Sequence, residues 1–283
     1  MTMRSKLVAV TPARNEERYI AKCITSVLNQ SYPVILHLIV DDWSDDRTRE
    51  IAKNFGKRIM VISSNLERGT KVHGIRPHLV TEVGIRKVTE LVRDWEFCLL
   101  LDGDAWLPSN YCEVIIGEME KNPRLVMAGA RFLKTPTGLE AARGEHVRSS
   151  NHIIRRRFYA RCKIGYNSIH GEVLLERMAA ISGLKTQTFP LAAFEGRPTG
   201  TTTDNPLLNG IYYYKLGYPL LHSLLKLRSP NKRYLFEVIG WIYAKLHGEK
   251  RHFREDEVKV LYRDYIGLLL AELRSSIIGS RNR

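Results

Sequence analysis

The sequence has no uninterrupted apolar run of about 18 residues, the length that a membrane-spanning helix requires. The apolar run near its start is far too short for a signal peptide. Its four cysteines form no CxxC pair and have no histidine at ligand spacing, which argues against a disulfide framework or a structural zinc site. We therefore expect an intracellular globular protein in a reducing compartment, the cytoplasm.

Acidic residues are in short supply relative to basic ones. The 283 residues include 44 Lys and Arg but only 30 Asp and Glu, which gives a formal net charge of +14. Hydrophobic residues make up 44%, too many for an intrinsically disordered chain. The basic surplus indicates an anionic partner, and the candidates are nucleic acid, an acidic membrane surface and a phosphorylated small molecule.

Up to about residue 134, short apolar runs alternate with segments whose apolar residues recur at helical spacing. Such alternation predicts βαβ units and a mostly parallel sheet flanked by helices. The predicted strands are Lys6–Val10, Ile35–Val40, Arg58–Ile62, Phe97–Leu101 and Leu125–Ala130. The predicted helices include Thr48–Phe55, Leu79–Val92 and Tyr111–Lys121.

The pattern changes after residue 135. Gly138–Lys163 is polar and basic, and Gly196–Asn205 is a loop-like stretch of Gly, Pro and Thr. Tyr234–Leu246 and Val258–Ile278 have the apolar spacing of amphipathic helices. We therefore expect a domain over residues 1–225, divided near residue 134 into two halves, and a C-terminal helical extension over residues 226–283.

The carboxyl ends of the strands are where open α/β sheets bind ligands. A dinucleotide site would need a glycine-rich turn after the first strand, and Pro12–Glu17 contains no glycine. If the sheet binds a nucleotide, other groups must hold the phosphates. The alternative is that Asn15 and Glu16 simply open the next helix.

Carboxylates follow two later strands. Asp41–Asp46 contains four after the second strand, and Asp102-Gly103-Asp104 follows the fourth. Carboxylates in this position suit Mg²⁺ or Mn²⁺, which bind oxygen ligands together with substrate phosphates. The alternative is a simple turn, which Asp-Gly pairs often mark.

Taken in order, these segments resemble family 2 glycosyltransferases of the GT-A fold. The resemblance rests on Pro12–Glu17, Ile24–Pro33 and Leu38–Thr48, and on Leu99–Asp104, which is similar to the DxD element of that family. It implies a GT-A-type, Rossmann-like mixed sheet with a C-terminal helical extension. It also implies a nucleotide-diphosphate sugar donor, Mg²⁺ or Mn²⁺ as cofactor, and inversion at the anomeric carbon.

The resemblance further implies roles for individual residues. Three residues after the first strand would line the nucleotide pocket, Asp42 would hydrogen-bond the base with Val40 beside it, and the two aspartates of the DxD element would hold the metal. The implied donor-binding residues are Pro12, Arg14, Glu16, Val40, Asp42, Arg68, Lys71, Asp102, Gly103 and Asp104.

Two features depart from the family pattern. Trp43 stands where the family commonly has glycine, so we expect that turn to differ. The loop that usually reads Gly-Lys appears here as Arg68-Gly69-Thr70-Lys71, which weakens the expected contact of Arg68 or Lys71 with the diphosphate.

The second half is more loosely similar to the acceptor half of these enzymes. Gly171 and Glu172 fall within that match, and Asp204 is the only carboxylate in Gly196–Tyr218. An acceptor hydroxyl must lose a proton as it attacks, so Asp204 is the candidate general base. The alternative is that Asp204 caps the helix that begins near Pro206. A phosphate acceptor would need no base.

A basic run, Arg155-Arg156-Arg157, is expected on the acceptor side. There it would favour a polyprenyl-phosphate or saccharide acceptor and a peripheral contact with the cytoplasmic face of a membrane. The alternative is a solvated charged surface.

Three rival functions fit less well. A nucleotidyltransferase acting on sugar phosphates would need a Gly-rich, Arg-bearing loop after the first strand, which Thr11–Glu17 lacks. A phosphohydrolase would carry its Asp-x-Asp motif on the first strand rather than the fourth. A basic nucleic-acid-binding protein without catalysis would leave the acidic strand ends unexplained, so nucleic acid is not expected as a partner.

Overall fold

The computed structural model describes residues 5–68, 76–141, 146–148, 150–162, 171–197, 205–227, 231–259 and 261. The chain divides into two compact units, Met1–Thr202 and Thr203–Arg283. The domain boundary expected at residue 225, and the division of the first domain near residue 134, stay predictions.

The first unit is built on one sheet. Its strands are β1 (Leu7–Ala13), β2 (Val34–Asp41), β3 (Ile59–Ser63), β4 (Phe97–Leu101), β5 (Ala105–Trp106), β6 (Leu125–Thr135), β7 (Gly138–Ala141), β8 (Asn151–Arg155) and β9 (Lys185–Glu195). The order across the sheet is β3-β2-β1-β4-β8-β6-β9-β5, and β7 pairs with β6. The helices are α1 (Ile20–Leu28), α2 (Thr48–Lys53), α3 (Arg76–Leu91), α4 (Tyr111–Lys121), α5 (Arg156–Tyr159) and α6 (Gly171–Ile181).

The pairing confirms the predicted fold class, an α/β sheet of GT-A type. β1 lies parallel to β2 and to β4, and β2 lies parallel to β3. β8 is inserted antiparallel between β4 and β6, and β9 lies parallel to β6. The parallel half therefore brings the carboxyl ends of β1, β2 and β4 to one edge of the sheet.

Apolar patterning explains the elements that the sequence predicts best. All five residues of β4 are buried, as expected of a central strand covered on both faces. In α1, the residues at helical spacing form the buried face: Ile20, Cys23, Ile24 and Val27. β4 and α4 begin and end at the predicted residues.

β5, β7, β8 and β9 are not among the strands predicted from the sequence. β8 lies in the middle of the sheet and is missed because its segment reads as polar and basic. All five of its residues are buried nevertheless. The Tyr111 hydroxyl donates to the backbone oxygen of Asn151 (2.7 Å), and His152 Nδ1 lies 2.9 Å from the Arg148 oxygen. These hydrogen bonds offset the cost of burying polar groups in the middle of the sheet.

Helix α3 packs unusually close to the sheet at Gly84. A Cβ atom at this position would lie 2.3 Å from Val10 Cγ1 on β1 and 2.8 Å from Val40 Cγ2 on β2. Only glycine allows this approach. The first residue of the same helix is Arg76, which reaches the carboxyl end of β2.

The second unit contains α7 (Pro206–Lys215), α8 (Leu220–Lys226) and α9 (Arg233–Leu246). α9 confirms the helix predicted over Tyr234–Leu246, whereas the helix predicted over Val258–Ile278 lies mostly outside the described residues. In the part of the chain that the structure describes, no helix is long and apolar enough to cross a membrane.

Candidate active site

The loops that follow β1 and β2 are held together by backbone and side-chain hydrogen bonds. The Asp42 N–H donates to the Ala13 oxygen (2.8 Å). Asn15 adopts a left-handed backbone (φ 57°), its side-chain oxygen accepts from the Asp45 N–H (2.8 Å), and its own N–H donates to Ser44 Oγ (3.0 Å). Asn15 thus fixes one loop against the other, which places the predicted pocket residues on a rigid edge.

Trp43 adopts the left-handed conformation (φ 57°) that ordinarily favours glycine. Its indole Nε1–H donates to the Leu66 oxygen (2.7 Å), and the Arg68 guanidinium lies over its ring. Trp43 thus holds a backbone conformation that glycine also adopts, and the expected difference in this turn stays a prediction. Arg68 also pairs with Asp45, so it remains beside the pocket edge.

Asp42, the predicted base-binding residue, already has strong partners. Its two oxygens accept from Arg76, from Nε (2.6 Å) and from Nη2 (2.8 Å), and Ser64 Oγ lies 2.7 Å from its Oδ1. The Arg76 and Asp42 side chains are only 14% and 6% exposed. Val40 is fully buried beneath α3, which leaves its side chain no surface to offer a base.

Pro12 lies near the carboxyl end of β1, and Arg14 and Glu16 lie in the loop that follows it. Arg14 is exposed, Pro12 is half-buried and Glu16 is buried. Glu16 lies directly against Gly103, where an added Cβ would be 2.9 Å from Glu16 Cγ. Gly103 therefore allows the first loop to close on the end of β4, between the two aspartates of the DxD element.

β9 brings a further residue, Arg197, to this edge. β9 pairs antiparallel with β5, Ala105 opposite Glu195, and the Gly196 N–H donates to the Asp104 oxygen (2.8 Å). Arg197 forms a short hydrogen bond to the Glu16 carboxylate, and its Nε lies 3.6 Å from Asp104 Oδ2. Arg197 is not among the residues predicted from the sequence, because it falls in the loop-like stretch Gly196–Asn205. No local pattern predicts the pairing of β5 with β9.

The carboxylates around Asp102 perturb one another. Burial, followed by the negative charges of Asp104, Glu195, Glu16 and Glu172, raises the pKa of Asp102 to about 8.

Burial also raises the pKa of Glu16, to about 7, although its hydrogen bond to Arg197 acts in the opposite direction. Burial likewise raises the pKa of Asp104. The carboxyl groups at this edge therefore hold their protons to higher pH than usual, and Arg197 offsets this only in part at Glu16 and Asp104.

This donor set fits a hard divalent cation. Asp102 and Asp104 supply carboxylate oxygens, and the mutual repulsion just described would be relieved by bound positive charge. Among the described residues, no group of three or more His, Cys, Asp or Glu side chains is arranged to hold a metal ion. Asp102 and Asp104 would be the protein ligands of Mg²⁺ or Mn²⁺, which commonly take one or two protein carboxylates and complete their shell with water and substrate phosphates.

Glu172 is brought near the candidate site, at the start of α6 beside Gly171. Its charge contributes to the raised pKa of Asp102, and its Oε2 lies 3.7 Å from His78 Nε2. This position agrees with the predicted acceptor side, whose function stays a prediction.

The basic run lies elsewhere, and the register contradicts its predicted place on the acceptor side. In the antiparallel pair of β8 with β4, Asn151 lies opposite Leu101 and Arg155 opposite Phe97. Arg155-Arg156-Arg157 therefore lies at the amino end of β4, away from Asp102.

The contacts of this run are those of a structural element. The buried Arg155 pairs with Glu96 (2.7 Å) and donates to the Met119 oxygen (2.7 Å). Arg157 donates to the Pro123 oxygen (2.7 Å).

Lys71 and Asp204 lie outside the described residues. The neighbouring Asn205 is the N-cap of α7, and its side-chain oxygen accepts from the N–H groups of Leu207 (3.1 Å) and Leu208 (3.4 Å). The two roles expected for Asp204, general base and helix cap, therefore stay predictions.

Comparison with known proteins adds to this geometry. Residues 8–75 match the model of the family described as Glycosyl transferase family 2. This segment of the chain is therefore similar to that family. It includes most of β1, all of β2 and β3, and both loops that hold Glu16 and Asp42.

One relative is Glycosyltransferase GlyA of Streptococcus pneumoniae serotype 4. It is 27% identical over 123 residues, which are 41% of this chain and 15% of the relative. The chain thus matches only a small part of the length of that relative.

Two solved structures share the fold of this chain. S. aureus TarS in complex with UDP-GlcNAc aligns with a TM-score of 0.57 and 16% identity, covering 82% of this chain and 69% of TarS. The mannosyltransferase PcManGT from Pyrobaculum calidifontis, in complex with GDP-Man and Mn²⁺, aligns with a TM-score of 0.56 and 14% identity, covering 97% and 83% of the two chains. At these identities the likeness establishes the GT-A architecture.

Proposed function

We propose that the protein is an inverting glycosyltransferase that moves a hexose from a nucleotide-diphosphate sugar to an acceptor. The observation that carries this proposal is the convergence of Glu16, Asp102 and Asp104 at the joined carboxyl ends of β1 and β4. The family match over residues 8–75 covers the β1 side of this edge. Relatives of the same fold were solved with UDP-GlcNAc and with GDP-Man and Mn²⁺, which supports a nucleotide-sugar donor.

The donor would bind across the edge formed by the three strands. Pro12, Arg14 and Glu16 border it from β1, and Asp102 and Asp104 would hold Mg²⁺ or Mn²⁺. The bound cation would neutralise the negative charge that develops on the diphosphate leaving group. Arg68 and Lys71 are proposed to contact the diphosphate, where cationic side chains add to this stabilisation.

The acceptor would attack the anomeric carbon from the face opposite the diphosphate, which inverts the configuration. We assign Asp204 as the general base that takes the proton of an acceptor hydroxyl. The assignment is supported by the sequence, in which Asp204 is the only carboxylate in Gly196–Tyr218. Gly171 and Glu172 would border the acceptor.

The second unit offers a surface for peripheral contact with an anionic membrane, which a polyprenyl-phosphate acceptor would require. Along α9, the large apolar side chains of Leu235, Phe236, Ile239 and Leu246 are between 44% and 78% exposed. Basic residues such as Lys245 lie on the same helix, as in helices that bind anionic interfaces. Co-sedimentation with phosphatidylglycerol vesicles, but not with phosphatidylcholine vesicles, is the expected result, and equal recovery without lipid would contradict it.

The donor proposal is tested by incubating the full chain with UDP- and GDP-sugars and Mn²⁺, with and without saccharide or polyprenyl-phosphate acceptors. We expect acceptor-dependent release of nucleoside diphosphate from at least one donor, and a product of inverted configuration by NMR. Asp104→Asn should lower the rate by about 10²–10³-fold, because the leaving-group charge loses its cation.

The matched control is Asp94→Asn. Asp94 is an exposed carboxylate that pairs with Lys6 just before β4, at the other edge of the sheet, so its removal should leave the rate unchanged. The proposal fails if every donor is inert with and without acceptors and Asp104→Asn alters neither donor nor metal binding.

A further inference from the structure

Arg197 occupies a position that the proposed function does not explain. Its guanidinium contacts two carboxylates at once, Glu16 through a short hydrogen bond and Asp104 at 3.6 Å. Glu16 comes from the loop after β1 and Asp104 from the turn after β4, so Arg197 joins the two sides of the edge. One of its two partners is a proposed ligand of the divalent cation.

The burial of the three side chains differs. Arg197 is 46% exposed, whereas Glu16 and Asp104 are 10% and 17% exposed. The arginine therefore covers the carboxylates from the solvent side. Its guanidinium also lies 5.6 Å from the ring centroid of Tyr19, near enough for a cation–π contact.

A divalent cation and this guanidinium compete for the same negative charge. A cation bound to Asp104 would lie close to Arg197 Nε, and like charges at such distances repel strongly at a partly buried site. Without the cation, Arg197 is the group that compensates Glu16 and Asp104. With it, the guanidinium gains by leaving Asp104 for another anion, and a planar guanidinium binds phosphate through paired hydrogen bonds.

We propose that Arg197 is a counter-ion that exchanges with the divalent cation at Asp104 and then binds the diphosphate of the donor. The inference rests on the proposed function only for its second step, since the exchange with the cation is independent of any donor. Arg197 therefore weakens binding of the cation to the free protein and strengthens binding of the nucleotide in the complex.

The first step is tested with Mn²⁺ alone, measured by electron paramagnetic resonance of the free ion. Arg197→Ala should bind Mn²⁺ about 5- to 10-fold more tightly than the unchanged protein, because a competing charge is removed. Arg197→Lys should bind Mn²⁺ about as the unchanged protein does, because the charge is kept. Equal or weaker binding by Arg197→Ala, or no Mn²⁺ binding by any variant, overturns the proposal.

The second step is tested by calorimetric titration of UDP and GDP at saturating Mn²⁺. Arg197→Ala should weaken the bound nucleotide by about 10- to 100-fold, the value of a charge-assisted hydrogen bond or two. Arg197→Lys should weaken it by less. Arg86→Ala is the control, because Arg86 is an exposed arginine paired with a carboxylate on α3, and it should change neither affinity.

In Arg197→Ala the affinity for Mn²⁺ should rise and the affinity for the nucleotide should fall. A structural role of Arg197 would give a different result, since local unfolding would weaken both affinities. Unchanged nucleotide affinity in Arg197→Ala overturns the second step. If the unchanged protein binds neither UDP nor GDP, the proposed function fails, while tighter Mn²⁺ binding by Arg197→Ala would still support the exchange.

Discussion

The ends of β2 and β4 lie at the same edge of the sheet, yet they treat negative charge in opposite ways. After β2, the buried Asp42 is paired with the half-buried Arg76, whose Nη1 also donates to the Glu67 oxygen (2.9 Å). After β4, Asp102 and Asp104 lie among other carboxylates, and the half-exposed Arg197 is close to Asp104.

The difference separates a structural ion pair from a binding site. A matched, buried pair stabilises its own geometry and leaves little to offer a ligand. A group of carboxylates with raised pKa values is costly in the free protein, and that cost is what a bound cation relieves. We therefore expect changes of charge to act with opposite signs on stability at the two strand ends.

The largest effect should come from Arg76→Ala. Removing one partner of a buried pair leaves the other charge uncompensated, so the free energy of unfolding should fall by about 3 kcal/mol. Urea denaturation followed by tryptophan fluorescence measures it. Arg197→Ala is the matched comparison, and because its side chain is half-exposed, its effect should be at most about 1 kcal/mol. If Arg76→Ala and Arg197→Ala lower the free energy of unfolding equally, the ends of β2 and β4 do not differ in the way described.

Acidification should lower the free energy of unfolding through His37, which lies inside β2 and has no charged partner among the described residues. Burial lowers the pKa of His37 to about 3 from an ordinary value of 6.5, and its Nε2 lies 2.8 Å from Thr11 Oγ1. Between these values the unfolded chain binds a proton that the folded protein excludes, so stability falls as the pH drops below 6.5. From pH 7 to pH 5 the contribution of His37 to this loss is about 2 kcal/mol, measured as the difference in pH dependence between the unchanged protein and His37→Asn.

Denaturation curves at the two pH values check this loss. His37→Asn should reduce the pH dependence whatever its effect at pH 7, whereas replacement of the exposed His247 by Asn should leave it intact. An unchanged pH dependence in His37→Asn would show that another group is responsible.

The smallest effect, and the one of opposite sign, should come from Asp102→Asn. With a pKa of about 8, the folded protein holds a proton on Asp102 that the unfolded chain releases, so stability falls as the pH rises toward 8. The neutral amide removes this dependence. At pH 8 and without divalent cations, Asp102→Asn should raise the free energy of unfolding by about 1 kcal/mol. Asp42→Asn leaves Arg76 without its charged partner and should lower the free energy of unfolding. An increase in Asp42→Asn would contradict the difference between the ends of β2 and β4.

The sequence predicts the parallel half of the fold well because its signals are local. Phe97–Leu101 is a pure apolar run, and Tyr111–Lys121 repeats its apolar residues at helical spacing, so both are found at their predicted bounds. β8 fails this test because the partners of its polar residues lie far away in sequence. Asn151 is satisfied by Tyr111 and Arg155 by Glu96, and neither contact has a local signature.

The candidate site divides in the same way. Glu16, Asp102 and Asp104 are predicted because each follows an apolar strand in an ordered motif. The partners that decide their charge balance are set by tertiary structure: Arg76 lies on a helix 34 positions from Asp42, and Arg197 lies 181 positions from Glu16. The sequence therefore locates the carboxylates of the site, but it does not predict which of them is paired with an arginine.

Gly84 connects the core to this edge. It lies two turns along α3 from Arg76, about 12 Å at 1.5 Å per residue, and it rests on the strands that end in Ala13 and Asp41. A methyl group there would push the helix outward and carry the guanidinium of Arg76 away from Asp42. The alignment of Arg76 with Asp42 is thus set by the distance between α3 and the sheet at Gly84. A substitution at this buried position, which contacts no ligand, would therefore change the binding of a ligand at the carboxyl edge.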